Sequence, residues 1–183
     1  MSYLPREERR RSIIDAAARV IASDGISAVN SRTVSGVLGG SPGQIHHHFA
    51  SIDQLISEAW KRYAKNEVRD FRTHVARMDR EDALREFFAD VLDDPRGGTS
   101  LARWAEASTQ ARIRAGFAPA FIETLEILIE VLEGCLGHTS RDTAAGLLTM
   151  ALGFAGLPPG APEKLKFSGA TVMSSAIADA ISL

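Results

Sequence analysis

The stretch "NSRTVSGVLGGSPGQIHHHF", residues 30–49, decides how the chain is read. Asn30 is a good N-cap, because its side-chain oxygen can accept the free N–H groups of a following first turn. The spacing predicts a short helix over about 31–38, with Val34, Val37 and Leu38 facing inward. Gly39 and Gly40 then form a turn. Ser41 and Gln44 stand three apart, the spacing of a capping box, and Pro42 suits a first helical position that has no N–H to satisfy. A second short helix therefore follows the first, ending near Phe49.

Working outward, residues 7–24 carry one apolar stripe through Ile13, Ile14, Ala17, Val20 and Ile21, the spacing of an amphipathic helix. Asp24-Gly25 supplies its stop, with Gly25 able to take the left-handed conformation that ends a helix. Downstream, "SIDQ" (51–54) repeats the capping-box pattern and opens a helix from about 52 to the mid-70s, through Leu55, Ile56, Ala59, Trp60, Tyr63 and Phe71. Helices are also expected over 81–93 and 100–115, and from Pro119 through Ile122, Leu125, Leu128, Ile129, Leu132 and Leu136. Two more run from "HTSRD" to about Leu157 and over 168–182. "DDPRGGTS" and "PPGAPEK" read as loops. Alternating strand patterns with hairpin turns are nearly absent, so the fold class is all-α.

The chain has 183 residues, 45% of them hydrophobic and 24% charged, ordinary values for a folded domain with a core. Its net charge of -2 is uneven: residues 1–74 hold 11 Lys/Arg against 8 Asp/Glu (+3), and residues 75–183 hold 10 against 15 (-5). A polyanion would meet the front end. No signal peptide or apolar spanning run is visible, and the lone Cys135 can form no intrachain disulfide, so a cytoplasmic protein away from the membrane is expected. There is no Gly-x-Ser-x-Gly, no recognisable carboxylate pair and no clustered Cys/His, so an enzyme is not expected, nor a cofactor.

Three consecutive histidines suggest a metal, but successive helical residues point about 100° apart, and ligand pairs on a helix need i, i+3 or i, i+4 spacing. No metal is therefore expected. A short helix, a glycine turn and a second short helix have the form of a helix-turn-helix, whose second helix presents its N-terminal residues to base edges in the major groove. Gln44 can pair with adenine, Gly43 permits close backbone approach, and histidines can donate to phosphates.

On these residues, positions 10–55 resemble the N-terminal domain of TetR/AcrR-type transcriptional regulators. The likeness rests on "RRSIIDAAARVIASDG", on "SRTVSGVLGGSPGQIHHHF" with its His48-Phe49 pair, and on "SIDQL". It implies a three-helix helix-turn-helix domain over 1–52 and a helical bundle over 53–183 that binds an effector and dimerises through its last two helices. It further implies a homodimer on a palindromic double-stranded DNA operator, most often as a repressor released by a small molecule. Carried over position by position, Arg32, Pro42, Gly43, Gln44 and His46 would lie nearest the bases, and Ser31, Ser41, His47 and His48 nearest the phosphates. The chain departs from the family where His46 replaces a tyrosine, Ile52 a phosphate-contacting lysine, and Leu38 a small residue. These departures keep open a second reading, a protein-interaction adaptor on the same fold with a weakened DNA face. Trp60, Phe87, Trp104, Gln110 and Phe121 are the candidate effector contacts.

Overall fold

The computed structural model describes residues 5–92, 100–137, 140–158 and 160–182. They form ten α-helices and one 3₁₀ turn, with no strand among the described residues. The helices are α1 (Arg6–Asp24), α2 (Ser31–Leu38), α3 (Gly43–His46), α4 (Ile52–Val75) and α5 (Arg80–Phe87). They continue as α6 (Ser100–Ile113), α7 (Ala118–Leu136), α8 (Arg141–Ala155), α9 (Ala161–Leu165) and α10 (Gly169–Ile181). Of the loop expected over 93–100, residues 93–99 lie outside the described residues, as does the start of "HTSRD" at 138–139, and Ser100 already belongs to α6.

The chain divides into two compact units. The first comprises residues 1–66 and 106–124, the second 67–105 and 125–183. Three helices, α4, α6 and α7, contribute residues to both. The expected division at 52/53 is one of roles; the units are a division of packing.

In the first unit the α1 stripe buries Ile13, Ile14, Ala17, Val20 and Ile21, as its periodicity predicts. Burying a side chain of this size contributes roughly 1.5–3 kcal/mol. The α1 stop at Gly25 takes φ 91 and ψ 167, outside the left-handed helical region. A Cβ there would lie 2.3 Å from Glu106 Oε2. Glu106 Oε1 in turn accepts the Ser27 N–H at 3.0 Å and the Ser27 hydroxyl at 2.6 Å. On α4, Leu55, Ile56, Ala59, Trp60 and Tyr63 are buried. Trp60 Nε1 donates to Thr124 Oγ1 at 2.7 Å, and its ring meets those of Phe117 and Phe121, each with centroids 6.1 Å apart.

In the second unit, Leu128, Val131, Leu132 and Leu136 of α7 form the inner stripe, and α8 and α10 pack against each other. Four expectations need correction. Val37 is 46% exposed, because α2 turns Val34, Ser35 and Leu38 inward and leaves Val37 off that stripe. Ile122 is 63% exposed, since the first part of α7 buries Phe121 and Thr124 instead. α5 ends at Phe87 rather than 93, giving way to turns in which Val91 and Leu92 N–H bond to the Phe88 carbonyl. The expected loop "PPGAPEK" contains the short helix α9, with Pro162 in its first turn and Lys166 at φ 58 closing it.

Candidate nucleic-acid interface and effector cavity

The helix-turn-helix is built by local chemistry. Asn30 Oδ1 accepts the N–H groups of Arg32 at 2.9 Å and Thr33 at 3.0 Å, and Thr33 Oγ1 accepts the Asn30 N–H at 3.1 Å. This reciprocal box fixes where α2 starts. Gly39, at φ 67 and ψ 29, ends it in the left-handed conformation, with the Gly40 N–H reaching back to the Ser35 carbonyl at 3.0 Å. The turn delivers Pro42 in helical geometry at φ -56 and ψ -31.

The capping box expected at Ser41 and Gln44 does not form. Pro42 occupies the cap position, with no side-chain capping bond, and the Gln44 N–H reaches the Ser41 backbone carbonyl at 3.2 Å. The Gln44 side chain is therefore not engaged in capping α3. The pattern does operate at the start of α4. Ser51 Oγ accepts the Gln54 N–H at 3.1 Å, and Gln54 Oε1 accepts the Ala50 N–H at 2.9 Å, one residue ahead of the usual partner.

α3 is a single helical turn, too short to hold itself in water. Ile45 and Phe49, 2% and 4% exposed, anchor it in the core. The Arg10 guanidinium of α1 sits 4.8 Å over the Phe49 ring and pairs with Glu58 of α4, tying three elements together. With Ile45 and Phe49 turned inward, Ser41, Pro42, Gly43, Gln44, His46 and His47 are all exposed, as is Arg32 on α2. A Cβ at Gly43 would meet nothing within 4 Å, so the fold itself leaves room for a side chain there.

The three histidines diverge. His46 Nε2 lies 3.3 Å from Ser31 Oγ, which couples α3 to α2. His47 is exposed. His48 is half-buried, and its Nδ1 has no hydrogen-bond partner among the described residues. Burial holds the His48 imidazole below its ordinary pKa, and the positive charges of Arg6, His47, Arg10 and Arg9 push the same way. Its surroundings thus favour the neutral form of His48. Ile52, at the position of the missing lysine, is half-buried.

The rest of the first unit is bolted to the start of α4. Arg114 Nη1 pairs with Asp53 Oδ1 at 2.8 Å, and its Nε donates to Gln110 Oε1 at 3.0 Å. Ser57 Oγ donates to the Gly116 carbonyl at 3.3 Å.

The second unit holds a cavity of about 320 Å³ lined by residues of α4, α5, the turn after it, α6 and α7. Its apolar wall includes Phe71, Phe87, Trp104 and Leu128; its polar wall holds Glu67, Asp70, His74, Glu86 and Asp90. Of the five expected effector contacts, Phe87 and Trp104 come together here. Trp60 and Phe121 lie instead in the aromatic core of the first unit, and Gln110 holds Arg114. Sequence reading passed over the acidic and histidine lining. Its signal was present: Glu67, Asp70, Phe71 and His74 follow i, i+3, i+4, i+7 spacing on one face of α4.

Residues 13–59 match the family of bacterial regulatory proteins of the tetR type. A 48-residue segment is 42% identical to the HTH-type transcriptional regulator BetI of Rhizobium meliloti (strain 1021), covering 26% of this chain and 24% of that protein. The match thus spans about a quarter of the curated relative. Solved structures align over nearly the whole chain. A transcriptional regulator from Streptomyces coelicolor A3(2) is 25% identical with a TM-score of 0.64, covering 96% of this chain and 99% of its own. The multidrug binding protein EbrR, complexed with proflavin, is 26% identical with a TM-score of 0.65, covering 92% and 99%. No described helix is long and apolar enough to cross a membrane.

Proposed function

For a chain whose N-terminal domain belongs to the tetR family of bacterial regulatory proteins, we propose the role of a cytoplasmic, ligand-responsive transcriptional repressor that leaves its operator when a small molecule binds. The observation that carries this reading is the outward face of α3: Pro42, Gly43, Gln44, His46 and His47 stand exposed on one turn whose other side is anchored by Ile45 and Phe49. Residues 1–52 serve DNA binding and residues 53–183 serve effector binding and dimerisation.

In this reading Gln44 pairs with an adenine edge, with its amide free of capping duty. Gly43 admits the groove wall, and Arg32, Pro42 and His46 complete the base-facing set. Ser31, Ser41 and His47 contact phosphates, with His48 contributing as a neutral donor. Ile52 supplies no charge, so the salt dependence should be shallower by about one phosphate contact per subunit.

Two chains would bind a palindromic operator, joined through α8 and α10, whose outer faces carry the small residues Gly146, Thr149, Gly153 and Ser175. The effector would occupy the cavity lined by Phe87 and Trp104. α4, α6 and α7 each run without a break from the unit that carries α3 into the unit that carries this cavity, so a ligand that moves them biases the DNA-binding geometry. Full release from a tightly bound state requires the ligand to favour the unbound geometry by up to ~5.5 kcal/mol. EbrR, bound to proflavin, shows a ligand complex on a related fold.

The test is fluorescence-anisotropy titration of DNA flanking the protein's own gene at two salt concentrations, with Gln44→Ala alongside. Specific binding by two chains per site, weakened by the substitution and by salt, supports the reading. Equal, sequence-independent binding by both proteins, or none, refutes it and favours an adaptor.

A further inference from the structure

We infer that the first two turns of α1 extend the DNA-binding surface, with Arg6 and Arg9 contacting backbone phosphates beside His47 at the end of α3. The inference rests on the DNA-binding reading above and adds to its contact surface a helix that otherwise serves as scaffold.

Arg6, Arg9, Arg10 and Ile13 stand at i, i+3, i+4 and i+7 on α1, and Ala17 and Val20 continue the same stripe. From Ile13 onward the stripe is buried. In the first two turns it is cationic instead. Packing accounts for one of the three arginines: Arg10 lies 4.8 Å over the Phe49 ring and pairs with Glu58. Arg6 is exposed and Arg9 half-buried, and neither has an ion-pair partner among the described residues. The adjacent acidic residues belong to another side of the helix. Glu7 and Glu8 are rotated about 100° and about 200° from Arg6, on the side that carries Arg11. Residues 1–4, Met-Ser-Tyr-Leu, hold no acidic side chain.

Nothing within α1 favours this placement. A helix N-terminus favours anions and disfavours cations. Pro5 offers no side-chain capping bond to the N–H groups of the first turn. An anion at this end would satisfy the unpaired guanidinium groups and the uncapped donors together. The location ties this end of α1 to α3. Arg10 is seated on Phe49, and Arg6 lies one turn nearer the start of α1 on the same face. Burial lowers the His48 pKa, and the positive charges of Arg6, His47, Arg10 and Arg9 lower it further, so all four act on one imidazole. His47 is exposed with the other outward residues of α3. The cationic face of α1 is thus continuous with the exposed turn of α3. A guanidinium fork matches phosphate oxygens two at a time, and phosphates flank the groove that a recognition helix enters.

The test is fluorescence anisotropy on the full chain with two labelled duplexes, one from the DNA flanking the protein's own gene and one of the same composition in scrambled order. Affinities are measured between about 50 and 200 mM salt. The proteins are wild type, Arg6→Ala with Arg9→Ala, Arg6→Lys with Arg9→Lys, and Arg11→Ala, each checked by circular dichroism. Each phosphate contact adds about 0.9 to the slope of log affinity against log salt, so losing two per subunit should make a dimer's slope shallower by about 3–4. The alanine pair should weaken binding about tenfold or more at the lower salt, by the same factor on both duplexes, because phosphates carry no sequence. The lysine pair should keep most of the slope, and Arg11→Ala should stay within about threefold of wild type. A folded alanine pair with the wild-type slope, a loss confined to one duplex, a lysine pair with the slope of the alanine pair, or an equal loss from Arg11→Ala overturns the inference. Should the alanine pair not fold, Arg6→Ala alone decides the matter, with about half the change in slope. Equal wild-type binding to both duplexes, with the expected change of slope in the alanine pair, leaves this inference standing and refutes the regulator reading. Preference for the flanking DNA with an unchanged slope in the alanine pair does the reverse, and binding to neither duplex refutes both.

Discussion

Gly25→Ala tests whether the turn between α1 and α2 needs glycine for two separable reasons. One is conformational. At φ 91 and ψ 167 the residue occupies a region that is essentially glycine's alone, and an L side chain held in such a region costs about 1–3 kcal/mol. The other is steric. The new Cβ would meet Glu106 Oε2 at 2.3 Å, so the carboxylate must move away from the Ser27 N–H and hydroxyl. Each of those bonds contributes about 0.5–1.5 kcal/mol net. Alanine restricts the unfolded chain and returns about 0.4–1 kcal/mol. The expected loss is therefore about 2–4 kcal/mol, a large share of a typical domain's stability. Urea denaturation of wild type, Gly25→Ala, Glu106→Ala and the double variant measures it as a cycle. In the Glu106→Ala background the steric part is absent, and Gly25→Ala should cost only about 1–2 kcal/mol. A loss below about 1 kcal/mol in the wild-type background, or one that Glu106→Ala leaves unchanged, would refute the two-part account.

Two further outcomes are expected. Gly43→Ala should leave the melting temperature unchanged or raise it by a few degrees, because the added methyl meets open space and alanine favours helix, yet it should weaken operator binding in anisotropy; undiminished binding would remove close backbone approach from the account. For His48, the folded pKa lies below the ordinary 6.5, so the unfolded chain takes up the proton first as pH falls. Stability should drop as pH falls through 6.5 towards the folded pKa, and His48→Gln should flatten that part of the denaturation-midpoint profile relative to wild type; parallel profiles would contradict it.

Much of this arrangement could be read in the chain because it is set by local chemistry. The α1 stripe, the Asn30 cap and the glycine stops at 25 and 39 each depend on a few adjacent residues and would suit few other structures. The Ser41 box does not form: Pro42 is already in helical geometry, and the Gln44 N–H is taken by the Ser41 backbone carbonyl instead of its side chain. Ile122 and Val37 read as inward-facing because periodicity identifies an apolar residue near a stripe but not the stripe's edge. The cavity was harder for a different reason. Trp60, Phe121, Phe87 and Trp104 carry the same apolar, helix-spaced signal, and whether such a ring fills a core or walls a void depends on how distant helices meet. The carboxylates of α4 and α5 likewise resemble any solvated helix face until the aromatic wall is known.

The one-turn length of α3 has a consequence for how this protein can change. Its position depends on two inward anchors, Ile45 and Phe49, and on the Arg10–Glu58 tie beneath them. The outward positions 42, 43, 44, 46 and 47 carry almost none of that burden. Drift or selection can therefore rewrite this exposed surface, proposed to read DNA, while the scaffold under it stays intact. Duplicated copies of such a gene could diverge in what they recognise long before they diverge in how they fold.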